Sequence, residues 1–123
     1  MASDLISVSR SDSSLLVHLN GTLGMAEVAT LDAQLARVAD EKPPFVVVDL
    51  SGVEMIASAG MGSLIAFRRE VAKTGGAVVL AGATPQVGES LRRAFLNKLF
   101  KMCATVPEAL AAAASRGTTA KQG

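Results

Sequence analysis

Hydrophobic and polar positions alternate along the first part of the chain. Leu15, Val17 and Leu19 occupy every second position of an extended pattern, which is the period expected of a β-strand. The polar stretch Arg10–Ser14 separates this pattern from an earlier extended segment, Leu5–Ser9. The pattern therefore predicts an N-terminal antiparallel β-hairpin.

The period then changes to that of a helix. Apolar residues recur three and four positions apart over Ala26–Asp40, and two prolines follow this run at Pro43 and Pro44. A second helical pattern covers about Ala59–Lys73, with Met61 in its apolar stripe. Both segments are predicted to be amphipathic helices that pack one face on a core.

Two β-branched runs without alternation, Phe45–Leu50 and Ala77–Gly82, are typical of strands buried on both faces. A third helix is predicted to begin at Pro85, a short last strand to lie within Leu99–Val106, and a closing helix to begin at Thr105. Because strands and helices alternate, the predicted fold class is α/β. We expect a mixed β-sheet with the antiparallel hairpin at its N-terminal end and about four helices.

Length and charge then narrow the possible functions. The 123 residues predict a single domain, at residues 1–115, followed by a polar tail at residues 116–123. Twelve basic and eleven acidic residues leave a charge of +1, and the only aromatic residues are four Phe, so nucleic-acid binding is not expected. With no signal peptide and no apolar run of roughly 18 residues, we expect a cytoplasmic protein that does not insert into membranes.

The residues that could support catalysis lack partners in sequence. His18 is the only histidine and is interpreted as a surface or half-buried strand residue, since catalytic histidine works through partners. Asp49 ends a strand, where it either caps a loop or contacts a ligand. Cys103 is interpreted as a buried thiol. The Gly60–Gly62 stretch lacks the third glycine of a dinucleotide fingerprint, because Ile65 stands there. We therefore predict no enzymatic activity and no cofactor.

Ser58 stands between a strand and a helical pattern, which allows two interpretations. Its hydroxyl can act as a helix N-cap. A phosphate on the same hydroxyl would be stabilised by the free N–H groups and the dipole of the helix start. The surrounding residues would let a partner approach closely, with Met61 as an exposed, adaptable contact. The candidate partner-binding residues are Ala57, Ser58, Ala59, Gly60, Met61 and Gly62.

Four stretches of the chain together resemble the STAS domains, and in particular the bacterial anti-sigma factor antagonists. The stretches, in order, are LLVHLNGTL, VVVDLSGVEMIASAGMGSLIAF, KTGGAVVLAGATPQVGESLRRAFLNKLFKM and PEAL. The resemblance covers nearly the whole chain. It implies that Ser58 is the serine that an anti-sigma factor with serine kinase activity phosphorylates. It also implies partner switching, in which the unphosphorylated form binds that anti-sigma factor and phosphorylation breaks the complex.

Three positions depart from the family pattern. Ala57 replaces the aspartate before the serine, Gly24 stands where the family often has an acidic residue, and Phe95 stands where it tends to have glycine. Because Phe disfavours a left-handed cap, we expect a different turn at Phe95 or packing of its ring over that turn. Ala57 also favours a second interpretation, in which the chain is a non-phosphorylated STAS scaffold or the cytoplasmic subunit of a lipid-transport ABC system.

Overall fold

The computed structural model describes residues 5–11 and 14–113. Its strands are β1 (Ile6–Ser11), β2 (Ser14–Leu23), β3 (Phe45–Ile56), β4 (Ala77–Ala81) and β5 (Lys101–Cys103). Its helices are α1 (Val28–Asp40), α2 (Ser58–Lys73), α3 (Pro85–Arg93) and α4 over residues 106–113. Two 3-10 turns, Met25–Glu27 and Leu96–Lys98, precede α1 and β5. The predicted tail at residues 116–123 lies outside the described residues.

The five strands form one mixed sheet in the order β1-β2-β3-β4-β5. β1 and β2 are antiparallel, with Val8 opposite Val17, whereas the other three pairings are parallel. The α/β class, the mixed sheet and the N-terminal hairpin are therefore confirmed. The part of the chain that the structure describes contains no helix with the length and apolar character needed to span a membrane.

Helices cover both faces of the sheet. On one face, side chains such as Val46 and Val48 of β3 pack with Leu64 of α2 and Leu91 of α3 in the larger core. On the other face, neighbouring positions of the sheet pack against Ala109 of α4. Because both faces of β3 are covered, both sets of its alternating side chains are apolar, which explains the continuous run seen in the sequence.

β3 is longer than predicted, because two irregularities break its period. Between the pairs His18–Asp49 and Asn20–Gly52, β3 contains one more residue than β2, and a second register shift follows Gly21. Such bulges change which residues point inward. As a result Val53 and Ile56, three positions apart, are both buried. The predicted strand ends at Leu50, whereas β3 continues to Ile56.

The segment after α3 also differs from the sequence-based prediction. α3 ends at Arg93, and Phe95 lies beyond it with φ 64 and ψ 22. The expectation of a different turn or of a packed ring is wrong, because the turn is left-handed and Phe95 is exposed. Cys103 is half-buried rather than buried, since β5 is a short strand at the edge of the sheet.

Candidate functional site

Ser58 lies where the carboxyl end of β3 meets the start of α2. The N–H group of Ala57 donates to the carbonyl oxygen of Leu23 at 3.0 Å, which ties the end of β3 to the end of β2. Ala57 has extended backbone angles, φ −98 and ψ 173, and its carbonyl oxygen accepts from the N–H of Met61. Ala57 is therefore the N-cap and Ser58 is the first helical residue. The interpretation of Ser58 as the N-cap is wrong by one position.

The start of α2 has no side-chain cap. Ala57 carries no acceptor, and no side chain caps the helix at this end. The first N–H groups of an α-helix have no partner within the helix, so those of Ser58, Ala59 and Gly60 add to the positive end of the helix dipole. Ser58 itself is exposed. Its hydroxyl is accessible to a modifying enzyme and adjoins N–H groups able to stabilise an anion.

Two of the six candidate partner-binding residues are inaccessible. Met61 is 9% exposed and belongs to the larger core, so its place in the apolar stripe of α2 is confirmed and its proposed role as an exposed contact is wrong. Gly60 is buried, and a Cβ atom at this position would lie 2.5 Å from the carbonyl oxygen of Leu23. Gly60 therefore serves the close packing of α2 on β2.

The remaining four candidates can be reached from solvent to different extents. Ala57, Ser58 and Gly62 are exposed, and Ala59 is half-buried. A Cβ atom at Gly62 would meet no atom within 4 Å. The accessible part of the predicted set is thus limited to small residues around the serine.

Two exposed methionines at the same end of the sheet were missed by sequence reasoning. Met25 is 81% exposed in the 3-10 turn after β2, and Met55 is 50% exposed near the end of β3. The only sequence signal for Met55 is its position next to Ile56, where a simple alternation cannot bury both. We call the set Met25, Met55, Ala57, Ser58 and Gly62 the Ser58 surface. Methionine side chains adapt to the shape of a partner, so this surface is suited to protein contact.

The 3-10 turn beside the Ser58 surface is held in place by a carboxylate. The N–H of Gly24 donates to Oε1 of Glu27 at 2.8 Å, so the Glu27 carboxylate satisfies a backbone donor at the start of the turn. This contact restrains the segment that carries Met25. The Ser58 surface as defined contains no acidic residue.

The single histidine has a carboxylate partner on the neighbouring strand. Nδ1 of His18 lies 2.8 Å from Oδ2 of Asp49, and Oδ1 of Asp49 accepts from the N–H of Ser51 at 3.0 Å. The expectation that Asp49 ends a strand and caps a loop is wrong, because β3 continues through it to Ile56. Its carboxylate instead accepts from Ser51, which lies within the first register shift. His18 is half-exposed, as predicted, but its partner was not foreseen.

Electrostatics at Asp49 favour the ionised form. Burial raises the pKa of Asp49, but hydrogen bonds from the N–H and hydroxyl of Ser51, together with the contact to His18, outweigh it and hold the pKa below its ordinary value. Ser51 bonds the carboxylate rather than the imidazole, so the three side chains do not form the relay that activates a serine nucleophile.

The groove beside the end of β2 does not suit a nucleotide, and the described residues contain no cluster that suits a metal ion. They contain no group of three His, Cys, Asp or Glu side chains that could hold a metal ion. A shallow groove of about 690 Å³ lies beside the end of β2, and the only charged side chain among the described residues that line it is Glu27. A carboxylate would repel a phosphate group placed there.

The fold and its exposed helix start define a small α/β domain with an accessible serine at the carboxyl edge of a mixed sheet. The chain belongs to the STAS domain family, whose sequence profile matches residues 6–109. BtrV of Bordetella bronchiseptica, whose name assigns it to the anti-sigma factor antagonists, is 29% identical over 108 residues, which are 88% of this chain and 92% of that protein.

Two solved structures of anti-sigma factor antagonists are similar to this chain. The structure of the antagonist from Mycobacterium paratuberculosis superposes with a TM-score of 0.80 and 27% identity, covering 87% of this chain and 91% of that one. The unphosphorylated form of SpoIIAA superposes with a TM-score of 0.76, covering 89% of this chain and 96% of that one. SpoIIAA is 18% identical, so this likeness establishes the fold alone.

Proposed function

We propose that this protein is a cytoplasmic anti-sigma factor antagonist, without catalytic activity of its own, that regulates transcription by partner switching. It binds an anti-sigma factor with serine kinase activity through the Ser58 surface while Ser58 is unphosphorylated, and phosphorylation of Ser58 releases the partner. The observation that carries the proposal is the exposed Ser58 hydroxyl at the uncapped start of α2, in a surface with two exposed methionines. The similarity to named antagonists supports the choice of partner.

Phosphorylation would change this surface strongly. A phosphoserine adds a charge of about −1.5 to −2, and burying that charge against an apolar partner costs much more than burying a hydroxyl. In the free protein, the N–H groups at the start of α2 would stabilise the phosphate. Both effects favour the dissociated state, so a single modification would switch the complex off.

Ala57 favours a second candidate function, a non-phosphorylated STAS scaffold or the cytoplasmic subunit of a lipid-transport ABC system. Ala57 is exposed directly before the serine, and it gives a kinase no carboxylate to recognise. In this case the Ser58 surface would stay permanently able to bind, and its partner would be a structural protein or a transporter ATPase. The two functions differ in whether ATP releases the partner.

The test is affinity capture of the tagged full chain from its native lysate, with and without ATP, followed by calorimetry with the purified partner. We expect a kinase-type anti-sigma factor that ATP releases as Ser58 gains a phosphate. S58E should weaken binding at least tenfold, whereas S58A should bind and resist release. S9E is the matched control, because Ser9 is exposed on β1. Equal affinity of wild type and S58E would contradict the proposal, and recovery of a transporter ATPase would support the second candidate.

A further inference from the structure

A second surface of the molecule combines an exposed aromatic ring with exposed lysines. Phe95 and Leu99 are 68% and 41% exposed. The N–H of Phe95 donates to the carbonyl oxygen of Arg92, and the N–H of Lys98 donates to that of Phe95, both at 3.0 Å, so these residues form one compact turn. We call the set Phe95, Lys98, Leu99 and Lys101, all exposed, the basic aromatic patch. The side chain of Arg92 does not belong to it, because its guanidinium group lies near Gly88 at the start of α3.

Folding gives no reason for an aromatic residue at position 95. Its φ of 64 lies in the left-handed region, which glycine adopts at much lower cost than a residue with a Cβ atom. The segment is anchored by its buried neighbours Leu96 and Phe100, so the turn does not depend on the Phe95 ring. A strained residue that exposes an aromatic ring is more consistent with binding than with stability.

The patch also concentrates positive charge. No Asp or Glu occurs between Glu89 and Glu108 in the sequence. Glu89 pairs with Arg93, and no ion pair found among the described residues involves a cation of the patch. Arg68 of α2 adds a further cation, 5.9 Å from the ring centre of Phe100. Since the whole chain carries only +1, this positive charge is a local property.

The composition of the patch indicates its occupant. Aromatic side chains are enriched at the energetic centres of protein interfaces, and complementary charge governs which partner binds. The occupant should therefore carry carboxylates around an apolar side chain. A membrane surface fits less well, because interfacial anchors use an extended apolar helix face, whereas Leu96–Lys98 is a three-residue turn.

The patch lies at the opposite end of the domain from the Ser58 surface. α2 begins with Ser58 at the carboxyl end of β3 and runs for 16 residues, or roughly 24 Å at the helical rise, past Arg68 toward the amino ends of the strands. α3 likewise starts after the carboxyl end of β4 and runs back to the turn at Phe95. Partners at the two surfaces would not compete for space.

We propose that the basic aromatic patch binds an acidic protein segment with at least one apolar side chain, at the same time as the Ser58 surface is occupied. This site goes beyond the proposed antagonist function and does not depend on phosphorylation of Ser58. It would let the domain join its regulated partner to a second protein.

The test is photo-crosslinking in native cells with the full chain. The photoreactive amino acid p-benzoylphenylalanine replaces Phe95 in one variant and Met55 in a second, with Val8, 45% exposed on β1, as the matched control. We expect at least tenfold more protein adduct from position 95 than from position 8, with an acidic peptide identified by mass spectrometry. S58E should leave this adduct unchanged, whereas K98E combined with K101E should reduce it at least tenfold.

Four outcomes would overturn the proposal: a yield at position 95 no higher than at position 8, adducts with lipid, a peptide without carboxylates, or no response to charge reversal. Because Lys98 and Lys101 are exposed, the double variant should fold, which urea unfolding would verify. The probe at Met55 reports separately on the Ser58 surface. Loss of its adduct alone would count against the antagonist function and leave the second site intact.

Discussion

An aspartate introduced at Ala57 should stabilise the protein by capping α2. Ala57 already has the extended backbone angles of an N-cap residue, φ −98 and ψ 173, and it is exposed, so a larger side chain has room. In A57D the carboxylate would accept from the free N–H groups of Ala59 or Gly60. Replacing a capping residue by Ala typically costs about 1 kcal/mol, so the reverse change should raise the free energy of unfolding by about that amount.

The negative charge of the new aspartate should contribute a smaller, salt-dependent part of this increase in stability. A negative charge at a helix N-terminus contributes about 0.3–1 kcal/mol at low ionic strength. A57N would supply the cap without the charge, and A57V would supply neither. We therefore expect the order A57D, then A57N, then wild type and A57V, with A57D approaching A57N at high salt.

Urea unfolding at two salt concentrations measures these differences. For a domain of this size, a gain of about 1 kcal/mol corresponds to roughly 4 °C in Tm, which calorimetry detects easily. If A57D and A57N both matched wild type within about 0.3 kcal/mol, an error small against the expected cap energy, the uncapped description of α2 would be refuted.

Three further predictions concern Asp49, Gly60 and Phe95. The folded-state pKa of Asp49 lies below its ordinary value of 3.8, so its contribution to stability is present above pH 3.8 and is lost as the pH falls through the folded-state pKa. D49N should therefore destabilise the protein by about 1–3 kcal/mol in urea unfolding at pH 6 and by less as the pH is lowered below 3.8; a loss that does not change with pH would contradict this. In the same assay G60A should lower the free energy of unfolding by about 1–3 kcal/mol, because its Cβ would lie 2.5 Å from the Leu23 carbonyl oxygen. G62A has open space around the new Cβ and should raise the free energy of unfolding by up to about 1 kcal/mol. Similar effects of the two variants would argue against close packing at Gly60. F95G should raise Tm, because glycine relieves roughly 1 kcal/mol of the strain that a left-handed backbone conformation imposes on other residues. F95A is the control, since alanine retains this strain.

Much of the fold follows from local patterns in the sequence. The spacing of apolar residues within each segment predicted the order of strands and helices and the hairpin, because side-chain period depends only on local backbone geometry. The end of α2 also follows from a local sequence signal. Gly75 adopts φ 86 shortly after the helix, as a glycine that follows a helix commonly does. The position of Ser58 near the junction of β3 and α2 followed from the same patterns.

The tertiary structure decided which residues around Ser58 are accessible. Two register shifts between β2 and β3 expose Met55 while burying Ile56, and they depend on pairing between strands that are far apart in sequence. Gly60 looks like a surface residue beside a serine, yet the approach of α2 to Leu23 buries it.

The sheet also brings together side chains that are distant in sequence. His18 and Asp49 are 31 residues apart, and the parallel register of β2 and β3 places them opposite each other. Phe95 keeps a left-handed turn because Leu91 before it and Leu96 after it are buried. The sequence alone therefore determined the elements, the class and the candidate serine, whereas strand register and packing, which are non-local, determined the surface that surrounds it.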